Sequence, residues 1–413
     1  MKICFIAPPP ADLSEKYAGT THVIELANNL SKLGHEVFLF SRGLYKNEIK
    51  ETKFNYINIP SIRFKRIETV LIFPLFTAIK MVKYNHKYKF DVIYQRHGSY
   101  VGHVLFEKLI NVPIVTEFND LAEPESIEML SNSMHRKIMK FIKMLLSGYQ
   151  KFLVKKTMEY SAGFRSVTEN IKKDLQRKYN IEGEKITVIA NGANTELFKP
   201  LDKLKCRRLL NLPENENIIC FVGTFYSFFG IEYLIESMPI ILEKIQNATL
   251  LIVGDQESTD TGEYKQGLIR NVKKLDLDND ILFTGAVPYE EVPKYINASD
   301  VCVAPFPKKK IEKCGLSPLK IYEYLACEKP TVASRISGLE FIEEQNAGIL
   351  VEPENPKELA KAIIKLLKDG KLREEMGKNG REYVVKNHSW ESVARKVAEV
   401  CKSVVMEHEN KRR

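Results

Sequence analysis

Short β-branched runs alternate with longer amphipathic stretches along the whole sequence, and that alternation leaves few folds open: it is the pattern of parallel sheets with helical crossovers. In the first half the predicted strands are 3–7, 36–40, 91–94, 114–118, 163–167 and 187–190. In the second they are 218–223, 249–253, 281–284, 301–304, 330–334 and 348–351, so two sets of six emerge. Between strands, Ile231, Leu234, Ile235, Met238, Ile241, Leu242 and Ile245 recur at helical spacing, as do Leu359, Ile363, Leu366 and Leu367. These stripes are core positions.

A chain of 413 residues is too long for one ordinary core and fits two domains. The expected boundary is near Phe198-Lys199-Pro200, after the turn-forming Asn191-Gly192-Ala193-Asn194, giving domains of residues 1–200 and 201–385. Ser389 is a plausible N-cap for a last helix from about Trp390 to Val405. Two doubly wound α/β domains facing each other would leave a cleft at the carboxyl ends of their strands, where open α/β sheets bind ligands.

The longest uncharged stretch, Asn217 to Ile231, is shorter than the roughly 18 residues a spanning helix needs. Met1-Lys2 runs directly into Ile3-Cys4-Phe5-Ile6-Ala7, too short and strand-like for a secretory signal, so a cytoplasmic location is expected. The seven cysteines form no CxxC pair, and Cys4, Cys220 and Cys302 lie in apolar runs, as buried reduced thiols do. The net charge of +9 is uneven: residues 1–195 carry +10 and the remainder −1. A basic half beside a neutral one suits either a solvated lysine face or an anionic partner, such as a membrane surface or a phosphorylated acceptor. The segment from Arg136 to Lys156 mixes basic residues on one helical face with Ile138, Phe141, Ile142, Leu145, Tyr149 and Phe152, as in an interfacial helix, and Arg63 to Arg66 could add a second contact.

Gly315-Leu316-Ser317-Pro318-Leu319-Lys320-Ile321-Tyr322-Glu323 carries the most chemistry. Ser317 followed by Pro318 reads as N-cap and first helical residue, so a helix would start here with amides and positive dipole end available to an anion. Lys320 adds a positive charge in the first turn, and Glu323 lies on the same face one turn deeper. Such a face could hold a diphosphate while Glu323 accepts from a ribose diol. An ordinary capped helix with a surface Lys/Glu pair satisfies the spacing equally.

This stretch resembles the signature of the retaining GT-B glycosyltransferases of family 4, and the resemblance covers nearly the whole chain. Similar too are Ile3-Cys4-Phe5-Ile6-Ala7-Pro8 followed by Gly19-Thr20-Thr21-His22, then Gly34-His35-Glu36-Val37, Phe221-Val222-Gly223-Thr224, Leu251-Ile252-Val253-Gly254-Asp255, Phe283-Thr284-Gly285 before Val287-Pro288, and Ser389-Trp390. The resemblance implies two Rossmann-like domains, with the acceptor on the first, the nucleotide on the second, and the last helix crossing back to the first. Two departures stand out. Family members carry two glutamates separated by seven residues, and the first falls here on Gly315; the usual basic pair is missing from Thr224 to Gly230. Lys320, helped by Lys308 to Lys310 or Lys313, would have to supply that charge.

The implied reaction moves a sugar from a nucleotide diphosphate donor to a glycan or lipid-linked acceptor with retention. In it Lys320 stabilises the departing charge, Ser317, Pro318 and Leu319 present the helix end, Gly223 and Thr224 line the donor, Glu323 holds the ribose and backbone near Val287 reads the base. Gly19 and Thr20, in the loop after the first strand, and Asp120 are placed on the sugar or acceptor side. Asn119 stands where many relatives carry a histidine, and His97 is a second residue near the cleft. No cofactor, no metal and no nucleic acid are expected. A nucleotide-sugar epimerase or hydrolase, or a catalytically silent binding protein, would share these features; product analysis with water alone, and donor binding without turnover, would distinguish them.

Overall fold

The computed structural model describes residues 1–8, 18–43, 52–60, 72–97, 110–119, 134–255, 262–308 and 315–412. They form two compact units: Met1–Ala190 with Val393–Arg413, and Asn191–Ser392.

The first unit is built on a seven-stranded sheet of β1 (Lys2–Ile6), β2 (Glu36–Ser41), β3 (Asn55–Asn58), β4 (Val92–Arg96), β5 (Ile114–Phe118), β6 (Gly163–Ser166) and β7 (Ile186–Val188). Their order is β3-β2-β1-β4-β5-β6-β7, every neighbouring pair parallel. The strand order reverses between β1 and β4, which makes their carboxyl ends the ligand-binding edge of such a sheet. β3 is absent from the sequence reading. Its four residues, Asn-Tyr-Ile-Asn, form an edge strand too short and too polar to stand out as an apolar run. The last helix, Trp390–Asn410, packs its later turns on this unit at Gly163, where an added Cβ would lie 2.7 Å from Val404. It runs as helix through residues 407–410.

The second unit repeats the plan with β8 (Asn217–Val222), β9 (Ala248–Val253), β10 (Ile281–Phe283), β11 (Val301–Ala304), β12 (Thr331–Ser334) and β13 (Gly348–Val351) in the order β10-β9-β8-β11-β12-β13, again all parallel. Its switch point lies between β8 and β11. The helices Ile231–Leu242 and Pro356–Lys368 cover the sheet with the apolar stripes seen in the sequence: Ile231, Leu234, Ile235, Met238, Ile241, Leu359, Ile363 and Leu366 are buried in one cluster with Phe221, Leu250, Ile252 and Val303. Residues 191–194 belong here because Asn191 is held by Ser317, while Ala193 exchanges backbone bonds with His388 and Trp390. Ser389 caps the last helix by accepting from the Ser392 amide at 3.2 Å. Cys4, Cys206, Cys220, Cys302, Cys327 and Cys401 are free and buried. No helix among the described residues is long and apolar enough to cross a membrane.

Candidate functional site

In the second unit three strands end in glycines with positive φ: Gly223 after β8 (150°), Gly254 after β9 (129°) and Gly285 after β10 (72°). Gly254 pairs with Gly285, and an added Cβ on Gly254 would run into the Gly223 carbonyl, so the strand ends approach backbone to backbone as only glycine permits. Thr224 follows Gly223, half-buried. Val287, also half-buried, precedes the single-turn helix Tyr289–Glu291.

Lys320 reaches this edge from the helix Leu319–Ala326, at the switch point. Its Nζ lies 4.1 Å from the Phe221 ring centroid, 3.8 Å from Phe229 and 5.9 Å from Phe306, with no hydrogen-bond partner among the described residues. A Cβ on Gly223 would stand 2.5 Å from Nζ, so the amine rests directly against that glycine. Desolvated cation–π contacts are worth about 2 kcal/mol, less than the hydration and three hydrogen bonds an ammonium gives up here. Burial therefore dominates, and it pushes the Lys320 pKa down to about 7 although Glu323 opposes it. The alternative of a surface Lys/Glu pair is excluded: Lys320 is only 8% exposed. The aromatic Phe229, in the loop that lacks the usual basic pair, helps to form its cage.

Glu323, one turn on, is 6% exposed and accepts from the Tyr289 hydroxyl at 2.9 Å; Tyr289 packs on Phe198 at 5.3 Å. Ser317 is not the N-cap. Its Oγ accepts from the Asn191 amide at 2.8 Å and meets the Tyr322 hydroxyl at 3.0 Å, and the Asn191 side chain donates to the Ser317 carbonyl. With that hydroxyl committed, extended Pro318 occupies the cap position without a side-chain cap and Leu319 is the first helical residue. Gly315, at the position of the missing glutamate, has φ 66°, which an L side chain adopts only under strain.

In the first unit the carboxyl ends of β4, β5 and β6 meet around Glu117, whose side chain is wholly buried. Its carboxylate accepts from Arg165 at 2.7 Å, from the Tyr94 hydroxyl and from the Asn119 amide, and lies 2.9 Å from His22 Nε2. Arg96 is 3.9 Å away and donates to the Gly19 carbonyl at 3.0 Å. Burial alone would raise the Glu117 pKa; His22, Arg165 and Arg96 together outweigh it and hold the carboxyl well below its usual range. Burial depresses the His22 pKa against the pull of Glu117.

Three of the first-unit candidates attach to this cluster. Asn119 donates to Glu117, Gly19 accepts from Arg96, and the His97 amide donates to the Glu117 carbonyl at 2.6 Å while its ring stacks on Phe118 at 4.2 Å. Gly19 and Thr20 lie in the first turn of the helix Ala18–Lys32 and not in a loop, and Thr20 is buried. Asp120, Lys309, Lys310 and Lys313 lie outside the described residues. Sequence reasoning missed Glu117, Arg165, Tyr94, Phe221, Phe229 and Tyr289 as site residues. One signal was available: two charged residues, Glu117 and Arg165, sit inside otherwise apolar parallel strands.

Residues 19–197 match the model of Glycosyltransferase Family 4, and residues 202–383 match that of Glycosyl transferases group 1. The chain is 32% identical over 255 residues to an uncharacterized glycosyltransferase of Methanocaldococcus jannaschii, covering 59% of this chain and 62% of that one. It is 24% identical over 427 residues to a D-inositol 3-phosphate glycosyltransferase of Corynebacterium diphtheriae, covering 98% and 95%. Among solved structures, Anabaena HepE in complex with UDP and glucose superposes with a TM-score of 0.72 at 18% identity, covering 98% of this chain and all of that one.

Proposed function

The chain belongs to the GT-B glycosyltransferases of family 4, and on that premise we propose that it transfers a sugar from a nucleotide diphosphate donor to a glycan or lipid-linked acceptor with retention of configuration. The observation that carries the donor half is the caged Lys320 beside Gly223 at the switch point of the second unit. A buried amine with no acceptor among the described residues is a group whose partner can arrive with the ligand, and a diphosphate supplies the acceptor oxygens and the charge. Lys320 then stabilises the negative charge that grows on the leaving diphosphate, which counts most in the transition state. Glu323, steadied by Tyr289, accepts from the ribose diol, and backbone near Val287 faces the base.

On the first unit the Glu117 cluster holds Asn119, which contributes hydrogen bonding to the sugar rather than proton transfer. Transfer without a metal is part of the proposal, with Lys320 and helix amides neutralising the diphosphate; an unchanged rate in EDTA is the expected result. The acceptor side is proposed to work at an anionic membrane surface. The helix Met134–Tyr160 exposes Leu145 and Phe152 with Lys151 and Lys155, and the helix Phe73–Tyr88, which contains no acidic residue, exposes Leu75, Phe76 and Ile79. Each basic residue near such a surface adds about 1 kcal/mol. Vesicle co-sedimentation should favour anionic over neutral lipid at low salt, and equal binding would remove the membrane from the proposal.

The donor assignment is tested by thermal unfolding with UDP, GDP and ADP. A nucleotide at 100 times its dissociation constant adds about 2.7 kcal/mol of apparent stability. No shift with any of the three would refute it.

A further inference from the structure

Lys320 has a property that its role as a diphosphate partner does not require. Its Nζ is enclosed by Phe221, Phe229 and Phe306 and by the backbone of Gly223, with no hydrogen-bond acceptor among the described residues. Among the described residues, the titratable groups that bear on it are Glu323 on its own helix and Cys220 on β8. Glu323 is drawn toward Tyr289, and burial keeps the Cys220 thiol protonated. The rings attract a cation through their faces yet accept none of its three N–H groups, so the enclosure favours the neutral amine over a fully hydrated ammonium as reference. A phosphate oxygen reverses that balance, because a charge-assisted hydrogen bond forms only with the protonated side chain.

We propose that the phenyl enclosure of Phe221, Phe229 and Phe306 favours the neutral amine of Lys320 when no nucleotide is bound, and that binding of a nucleoside diphosphate charges it by drawing up to one proton from solution. The three phenylalanines thereby act through Lys320 as positioning residues for donor binding. The depressed pKa of about 7 agrees with this geometry. Two consequences follow. Above pH 7, donor affinity falls about tenfold per pH unit until the pKa of the complex is reached. Release of the nucleoside diphosphate product returns the proton to solution.

The inference rests on the donor-site reading above, and calorimetry separates the two. UDP, GDP and ADP are titrated into the full chain at pH 8.5 in Tris and in EPPS, buffers of different ionisation enthalpy. At that pH the terminal phosphate, with a pKa near 6, is already deprotonated and contributes no proton of its own. The expected result is uptake of nearly one proton per nucleotide bound, falling to about half of that at pH 7. Lys320→Met fills the apolar enclosure without an amine and should bind the nucleotide with no uptake. Phe229→Gln, at a half-buried position, gives the ammonium an acceptor and should reduce uptake at pH 8.5 while binding persists. Binding with the same enthalpy in both buffers overturns this inference and leaves the donor site standing. Uptake that survives in Lys320→Met also overturns it. Binding of none of the three nucleotides overturns the donor-site reading itself.

Discussion

Glu117, on β5 of the first unit, and Lys320, on the helix at the switch point of the second, each lie at the carboxyl edge of a parallel sheet, and each is an ionisable group removed from water. Their surroundings are opposite. Glu117 is met by Arg165, His22, Tyr94 and Asn119, and its carboxylate is stabilised despite complete burial. Lys320 meets phenyl rings and a glycine, and its charge is disfavoured. A buried charge saturated by the protein organises its neighbours, whereas one left unsatisfied awaits a partner from outside.

The hardest way to break this contrast is to remove Glu117. Glu117→Gln leaves Arg165 buried without its counter-ion and should cost about 3–5 kcal/mol in urea unfolding at pH 7. Because the folded-state pKa is depressed, the stability Glu117 contributes is present above the unfolded carboxylate range and is lost as pH falls through the folded value. A cost below about 1 kcal/mol would show that the cluster does not depend on the carboxylate.

Lys320→Met should behave in the opposite way. Folding stability at pH 7 should hold or rise, while nucleoside diphosphate affinity in calorimetric titration should drop by about 1.5–3 kcal/mol. The unfolded lysine binds its proton up to about 10.5 and the folded one up to about 7, so wild-type stability should rise with pH between those values, and the mutant should lack that component. If Lys320→Met destabilises the fold as much as Glu117→Gln does, the amine is structural and the contrast fails.

Smaller effects sharpen the donor side. Glu323→Gln exchanges a charge-assisted hydrogen bond to the ribose for a neutral one and should weaken nucleoside diphosphate binding by about 1–2 kcal/mol, with little change in unfolding midpoint. Tyr289→Phe removes the hydroxyl that steadies Glu323 and should cost about 0.5–1.5 kcal/mol in the same titration. In Glu323→Gln the added effect of Tyr289→Phe should shrink, since the two act in series; full additivity would place Tyr289 elsewhere.

Twelve of the thirteen strands are legible as apolar runs, because parallel strands covered on both faces are mostly apolar, and the helical stripes over the second sheet follow from their spacing. The polar edge strand β3 is not, since its place is set by pairing with β2. The order of glycine-ended strands and the Gly315 to Glu323 stretch pointed to the family, and Lys320 and Glu323 were picked out by type and position alone. Their condition was decided by the tertiary structure. Ser317 looks like a helix cap until Asn191, 126 residues earlier in the chain, takes its hydroxyl. Lys320 looks like a solvated cation until Phe221 and Phe229 close on it from β8 and the loop beyond. Glu117 reads as one more strand residue until Arg165, 48 positions away, and His22 from the first helix reach it. Local sequence fixes backbone preference and apolar periodicity, which act over a few residues. Hydration and charge depend on what long-range packing brings within a few ångströms of each ionisable group, and only the folded chain settles that.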